Sequence, residues 1–101
     1  MPNLSFVIPV YNEQDSVAEL HQQIATVAAD NSYDFEIVFV DDGSTDDTWK
    51  IIESLSTANE NVKAIMLCGN YGKAAALRSG AKMSTGDLII TMDADLQDDP
   101  A

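Results

Sequence analysis

Four short apolar runs alternate along this chain with three longer segments of different hydrophobic spacing. The runs cover residues 4–10, 35–40, 62–67 and 88–92, and each is rich in Val, Ile, Phe or Leu with little polar alternation. Short apolar runs without alternation are typical of strands that are covered on both faces. The pattern therefore predicts four buried β-strands.

The segments between the runs repeat apolar residues every three or four positions, which predicts three helices. The apolar face of the first consists of Val17, Leu20, Ile24 and Val27, and that of the second of Trp49, Ile52 and Leu55. The third helix runs from Lys73 to about Met83, and its many small residues should let it pack closely on its neighbours. Ser44 is predicted to cap the second helix, with Asp47 at its third helical position.

Strands that alternate with helices predict an α/β fold, in which right-handed crossovers join the strands of a parallel, Rossmann-like sheet. We expect one domain over residues 1–101. Polar residues follow each strand, so they should collect at the carboxyl edge of the sheet, where such folds bind ligands. The sequence has neither a Walker-type loop nor Gly-x-Gly-x-x-Gly, which disfavours P-loop and dinucleotide-binding sites.

The charge balance excludes several kinds of partner. The chain has 17 acidic and 5 basic side chains, which give a net charge of −12. Nucleic acids are bound through basic side chains, and so are anionic membrane surfaces, so this chain alone should bind neither. Cys68 is the single cysteine, which excludes an internal disulfide and fits a reducing compartment. No apolar run is long enough to span a bilayer, and we expect the chain itself to be soluble.

Two acidic residues at the end of the fourth run carry the clearest chemistry. Asp93 and Asp95 are separated by one residue, and alternate side chains of an extended chain point the same way. Their carboxylates can therefore meet a single cation. Hard oxygen ligands suit Mg²⁺ or Mn²⁺, and the amide oxygen of Gln97 could be a third ligand. The alternative is a solvated acidic turn.

The residues that follow the other three predicted strands indicate ligand binding less clearly. The turn after the second run is explained as a capped bend, but Asp42 within it could also accept a hydrogen bond from a nucleobase N–H. Tyr11 could stack on a base and Glu13 could hold its polar edge, or both could simply begin a helix. Lys73, at a helix start, could serve a phosphate or be an ordinary surface lysine.

Together these motifs resemble the family 2 glycosyltransferases of the GT-A fold. Four segments carry the resemblance in the family's order: residues 6–13, 37–46, 70–73 and 86–97. Their sequences are FVIPVYNE, IVFVDDGSTD, NYGK and GDLIITMDADLQ. The Asp-Ala-Asp-Leu-Gln stretch is most similar to the branch that loads a sugar onto polyprenyl or dolichyl phosphate.

The resemblance implies a role for each matching residue. The nucleotide pocket would be lined by Pro9, Tyr11, Glu13, Val40 and Asp42, with Asp42 on the base. The donor diphosphate would be held, through Mg²⁺ or Mn²⁺, by Asp93, Ala94, Asp95 and Gln97. Asp95 would be the catalytic residue, and Lys73 would contact a phosphate.

The implied reaction is a metal-dependent, inverting transfer of a sugar from a UDP- or GDP-linked donor to a polyprenyl phosphate. Such an enzyme would serve cell-envelope biogenesis at the cytoplasmic face of a membrane. Family members continue past the point that matches residue 101, so we expect the chain to be the nucleotide-binding N-terminal part of a GT-A fold. Alone it should be inactive, and the unpaired edge of the strand at 88–92 should cause self-association or leave the chain marginally stable.

Two alternatives remain at this stage. One is a family 2 glycosyltransferase that acts on a sugar hydroxyl, as in polysaccharide synthesis. The other is a non-catalytic α/β module that binds a nucleotide or is phosphorylated like a receiver domain.

Overall fold

The structure is a computed structural model that describes residues 3–67, 69 and 71–92. Its strands are β1 (Leu4–Val10), β2 (Phe35–Asp41), β3 (Val62–Met66) and β4 (Leu88–Thr91). Its helices are α1 (Val17–Asp30), α2 (Thr48–Ala58) and α3 (Lys73–Met83). The predicted elements are therefore confirmed, and the strand ends differ from the predicted ones by one residue at most.

All strand pairs are parallel, and the strand order is β3-β2-β1-β4. The chain thus builds outwards from β1 to β3 and then crosses back to the other side of β1. This reversal leaves a crevice between the carboxyl ends of β1 and β4, the usual ligand position in open α/β sheets.

Pro9 helps to open that crevice. The carbonyl of Val7 accepts a hydrogen bond from the amide of Met92 at 3.1 Å, so Val7 turns its backbone polar groups towards β4. In a strand, the backbone polar groups of every second residue point to the same neighbouring strand. The backbone nitrogen of Pro9, two residues after Val7, therefore also faces β4. Proline has no N–H to donate there, so it cannot continue the ladder.

Helices cover both faces of the sheet. One face packs against α1 and α2, and its core comprises Ile8, Val10, Val17, Leu20, Ile24, Ile37, Phe39, Ile52 and Val62. The other face packs against α3, and its core comprises Val7, Val38, Val40 and Ala76. A Cβ atom on Gly80 would lie 2.3 Å from Cγ1 of Val7, so α3 approaches the sheet as closely as its small residues predicted.

Two predictions about burial are wrong. Val27 is 58% exposed, and Ala28 is the buried residue in the last turns of α1, because a helix of 3.6 residues per turn returns to the sheet at that position. The outer strands β3 and β4 are not fully covered on both faces, since Met66 on β3 and Leu88 on β4 are both more than half exposed. Among the described strands β4 pairs with β1 alone, and so it has a partner on one side.

The buried carboxylate of Glu36 links several elements at the amino edge of the sheet. Glu36 on β2 accepts hydrogen bonds from the hydroxyl of Ser5 and the amide of Thr85, both at 2.6 Å. Lys63 on β3 forms an ion pair with it at 2.9 Å, and Ser5 Oγ in turn accepts the amide of Gly86 at 2.8 Å. Burial alone would raise the pKa of Glu36, but these donors, the Ser5 hydroxyl foremost, lower the pKa to about 2.

Among the described residues, every helix is too short or too polar to cross a bilayer.

Candidate functional site

The β1–α1 loop (residues 11–16) and the β2–α2 loop (residues 42–47) lie side by side at the carboxyl edge of the sheet. Their first residues are aligned because the amide of Asp42 donates to the carbonyl of Val10 at 2.9 Å, which extends the β1–β2 ladder by one bond. The predicted pocket residues on the two loops are therefore neighbours in space.

Asn12 joins these loops most extensively. Its side-chain Oδ1 accepts the amide of Thr45 at 2.8 Å, the amide of Asp46 at 3.3 Å and the hydroxyl of Thr45 at 3.3 Å. Its own amide donates to Oγ of Ser44 at 2.8 Å. The backbone of Asn12 has φ 52°, in the left-handed region that asparagine tolerates better than most residues.

The start of α2 differs from the prediction. Ser44 does not cap the helix, because α2 begins at Thr48 and Ser44 lies in the preceding turn. Asp47 precedes the helix and does not occupy its third position; its side chain makes no capping bond. The amide of Thr48 is instead bonded to Oδ1 of Asp46 at 2.9 Å, which supplies the helix start with a carboxylate.

Contacts with the first loop reinforce this helix start. Buried Thr48 accepts the amide of Glu13 at 2.8 Å, and Oδ2 of Asp46 accepts the amide of Gln14 at 3.4 Å. Burial would raise the pKa of Asp46, but the hydrogen bonds from Thr48 and the first loop lower it. Asp46 is therefore held as a carboxylate at neutral pH.

The two aspartates that follow β2 point to different neighbours. Asp41 Oδ1 accepts the amide of Ser44 at 2.7 Å, and its buried Oδ2 has no hydrogen-bond partner among the described residues. Asp42 is buried, and its two oxygens accept the amides of Tyr71 at 2.8 Å and Gly72 at 2.9 Å. Asp42 thus fixes the loop that leads into α3, and each of its oxygens keeps a lone pair for a further donor.

The other residues predicted to line the nucleotide pocket differ in how far they are buried. Tyr11 is 44% exposed, which leaves its ring available for stacking, and Glu13 is half-buried. Val40 is fully buried beneath α3, so its side chain packs in the core. Pro9 and Lys73 line a cavity of about 160 Å³ in the crevice between β1 and β4, together with Leu77, Thr91 and Met92.

Four predicted residues, Asp93, Ala94, Asp95 and Gln97, lie outside the described residues. Asp93 follows Met92 directly in the sequence, and Met92 is hydrogen-bonded to β1 in the crevice. Within the described part of the chain, no group of three His, Cys, Asp or Glu side chains is placed to hold a metal.

Comparison with known proteins decides the family. Residues 5–101 match the family described as Glycosyl transferase family 2. The chain belongs to this family. It is also 46% identical over 98 residues to an undecaprenyl-phosphate 4-deoxy-4-formamido-L-arabinose transferase of Klebsiella pneumoniae and 43% identical to the transferase of that name in Pseudomonas fluorescens. Those matches cover 96% of this glycosyltransferase chain but only 30% and 29% of the relatives, so it spans about a third of their length.

Solved structures agree with this family and with its GT-A fold. The mannosyltransferase PcManGT from Pyrobaculum calidifontis, solved with GDP-Man and Mn²⁺, superposes with a TM-score of 0.79 at 26% identity. It covers 93% of this chain, which corresponds to 28% of that protein. Staphylococcus aureus TarS in complex with UDP-GlcNAc gives a TM-score of 0.76 at 28% identity, over 92% of this chain and 26% of TarS.

The residues that hold the two loops of this glycosyltransferase chain together were not predicted from the sequence. Asn12, Gln14 and Thr48 bond to partners more than 30 positions away, which no local pattern reveals. One signal was available for Asn12, because an asparagine in a loop adopts a left-handed backbone more often than most residues.

Proposed function

We propose that this chain is the donor-binding part of an enzyme that transfers a sugar from a nucleotide-linked donor to a polyprenyl phosphate. One observation carries the proposal: Tyr11 and Asp42 are the first residues past the paired strands β1 and β2, held in register by the hydrogen bond from the Asp42 amide to the Val10 carbonyl, and Tyr11 is exposed there. A planar base could stack on Tyr11 and donate an N–H to Asp42. The two relatives named undecaprenyl-phosphate transferases support the lipid phosphate as acceptor.

The diphosphate of the donor would lie in the crevice between β1 and β4. Lys73 lines this crevice at the start of α3, where its ammonium group and the helix N-terminus both favour a phosphate. Asp93, Asp95 and Gln97 follow β4 directly and offer the oxygen ligands that Mg²⁺ or Mn²⁺ prefers. The metal would neutralise charge on the diphosphate as it leaves, and the Mn²⁺ in PcManGT supports this assignment.

The transfer itself needs little proton chemistry from the chain. A phosphate oxygen of the lipid attacks the anomeric carbon as the bond from that carbon to the diphosphate oxygen breaks, which inverts the anomeric centre. The attacking oxygen already carries negative charge at neutral pH, so no general base has to remove a proton. The chain's part is to bind the base, orient the diphosphate and hold Asp95 near it. We place the complete enzyme at the cytoplasmic face of a membrane, where its acceptor lies.

Calorimetric titration tests the donor site. The chain should bind a UDP- or GDP-linked sugar more tightly with Mn²⁺ than without it, and Asp95→Ala should remove the Mn²⁺-dependent part. Asp98→Ala, which removes an acid from the same segment, is the matched control and should bind like the wild type. Equal Mn²⁺ dependence in the wild type and in Asp95→Ala would refute the assignment.

The acceptor is tested separately in the complete enzyme. Transfer to a polyprenyl phosphate and no transfer to sugar acceptors is expected. The opposite result would favour the polysaccharide-synthesising alternative within the same family.

A further inference from the structure

Asn12 occupies a position between two residues assigned to the donor site and is itself assigned no role there. It separates Tyr11 from Glu13, and its side chain points away from them to the β2–α2 loop. Three hydrogen bonds end on its Oδ1, from the amides of Thr45 and Asp46 and the hydroxyl of Thr45. A single side-chain oxygen therefore holds the turn that follows Asp42.

The backbone at Asn12 has a consequence for its neighbours. With φ 52°, the chain turns sharply between Tyr11 and Glu13. Tyr11 is thereby left exposed at the strand end, while the amide of Glu13 reaches the buried hydroxyl of Thr48. Most residues avoid this conformation, so the three accepted hydrogen bonds stabilise a turn that would otherwise relax.

We propose that Asn12 is a positioning residue of the donor site, which sets Tyr11 and Glu13 in fixed relation to Asp42 before the nucleotide arrives. This inference rests on the proposed function, because it assumes that these three residues meet the nucleotide. Preorganised loops bind more tightly since less conformational freedom is lost on binding. Loss of the Oδ1 acceptor should therefore weaken nucleotide binding even in molecules that stay folded.

Two variants of Asn12 separate its side chain from its backbone. Asn12→Gly adopts the left-handed conformation freely but has no oxygen to hold Thr45 and Asp46. Asn12→Asp keeps the acceptor oxygen and also tolerates this conformation. Ser32→Ala is the matched control, because Ser32 has φ 58° in the turn between α1 and β2 and contributes nothing to the carboxyl edge.

The measurements are amide hydrogen exchange and the affinity for UDP and GDP with Mn²⁺, both well below the melting temperature of each variant. In Asn12→Gly, exchange at Thr45 and Asp46 should accelerate and affinity should fall about tenfold, as expected when several modest hydrogen bonds are lost. Asn12→Asp should keep slow exchange and bind within about threefold of the wild type, because it retains the acceptor. Ser32→Ala should melt earlier but bind like the wild type.

The possible failures are distinguishable. Unchanged exchange in Asn12→Gly, or faster exchange with wild-type affinity, would overturn the positioning role and leave the proposed function intact. An affinity loss in Ser32→Ala as large as that in Asn12→Gly would also overturn it, since stability alone would then explain both. A wild-type chain that binds neither nucleotide would overturn the proposed function itself, and the positioning role with it.

Discussion

The two edges of the sheet hold their carboxylates with different partners. At the amino edge, Glu36 meets Lys63, a serine hydroxyl and a loop amide in one connected network. At the carboxyl edge, Asp42 and Asp46 accept backbone amides and the hydroxyl of Thr48. Neutral donors orient a carboxylate without cancelling its charge, whereas an ion pair largely neutralises it.

We expect this difference to separate stability from nucleotide binding. The amino-edge network joins β1, β2, β3 and the loop before β4, so its charge is used within the fold. At the carboxyl edge, Asp42 and Asp46 meet neutral donors among the described residues, and Tyr11 is exposed beside them at the end of β1. Changes at the amino edge should therefore lower stability with little effect on nucleotide binding, and changes at the carboxyl edge should affect both.

The largest loss of stability is expected from Glu36→Ala. The change leaves the hydroxyl of Ser5 and the amide of Thr85 without their acceptor and removes the ion-pair partner of Lys63, which keeps the carbonyl of Met83. Each unsatisfied buried donor costs about 1 to 3 kcal/mol, so a total loss of about 3 kcal/mol is expected. Urea unfolding at pH 7 measures it. Glu53→Ala, which removes an exposed glutamate from α2, is the control and should change stability by less than about 0.5 kcal/mol. A loss as small as the control's would show that the network contributes nothing.

The pH dependence of stability provides a second test of the amino edge. The pKa of Glu36 falls from an ordinary 4.5 to about 2 on folding, so the ionised group stabilises the fold above pH 4.5. This contribution should be lost progressively as the pH falls from 4.5 through 2. Urea unfolding at several pH values should show a shallower acid decline in Glu36→Gln than in the wild type. A residual decline is expected because the pKa of Asp46 is lowered as well. Parallel declines in both proteins would contradict the role of Glu36.

Gly86→Ala should have an intermediate effect at the amino edge. Its new Cβ would lie 2.5 Å from Oγ of Ser5 and 2.8 Å from the Ser5 backbone nitrogen, so the backbone must shift. Overpacking of this kind costs about 2 kcal/mol. Gly69→Ala is the matched control, since its Cβ would make ordinary contacts of 3.6 Å with the ring of Tyr71. Thermal melting of both variants measures the difference, and equal melting temperatures would mean that Ser5 and Gly86 are not as closely packed as the structure shows.

The fold could be predicted from sequence largely because its signals are local. Unbroken apolar runs and a three-to-four-residue spacing depend on neighbouring positions, and they located every described strand and helix. The burial predictions failed where a residue's exposure depends on positions far from it in the sequence. Whether Val27 or Ala28 faces the sheet depends on helix phase accumulated over three turns, and the exposure of Leu88 depends on which strand lies beside β4.

The meeting of the candidate site's two loops at one edge was predictable, but the contacts within them were less so. Parallel topology brings all strand ends to one edge, which explains why Tyr11 and Asp42 are neighbours. The partners of Asp42 and Asn12 lie 29 to 34 positions away in sequence, and no motif specifies them. The same holds for Glu36, which lies inside an apolar run and bonds to Thr85 across 49 positions.

The smallest loss of stability is expected from Asp42→Asn, at the carboxyl edge. Asparagine offers one oxygen where Asp42 uses two, so the amide of Tyr71 or that of Gly72 loses its acceptor at a cost of about 1 kcal/mol. Nucleotide affinity should nevertheless fall more than in Glu36→Ala, because Asp42 would also accept the base N–H. Urea unfolding and calorimetry on both variants give the two quantities. If Glu36→Ala lost more affinity than Asp42→Asn, the two edges would not divide stability from binding, and Asp42 would be no more than a support for the loop before α3.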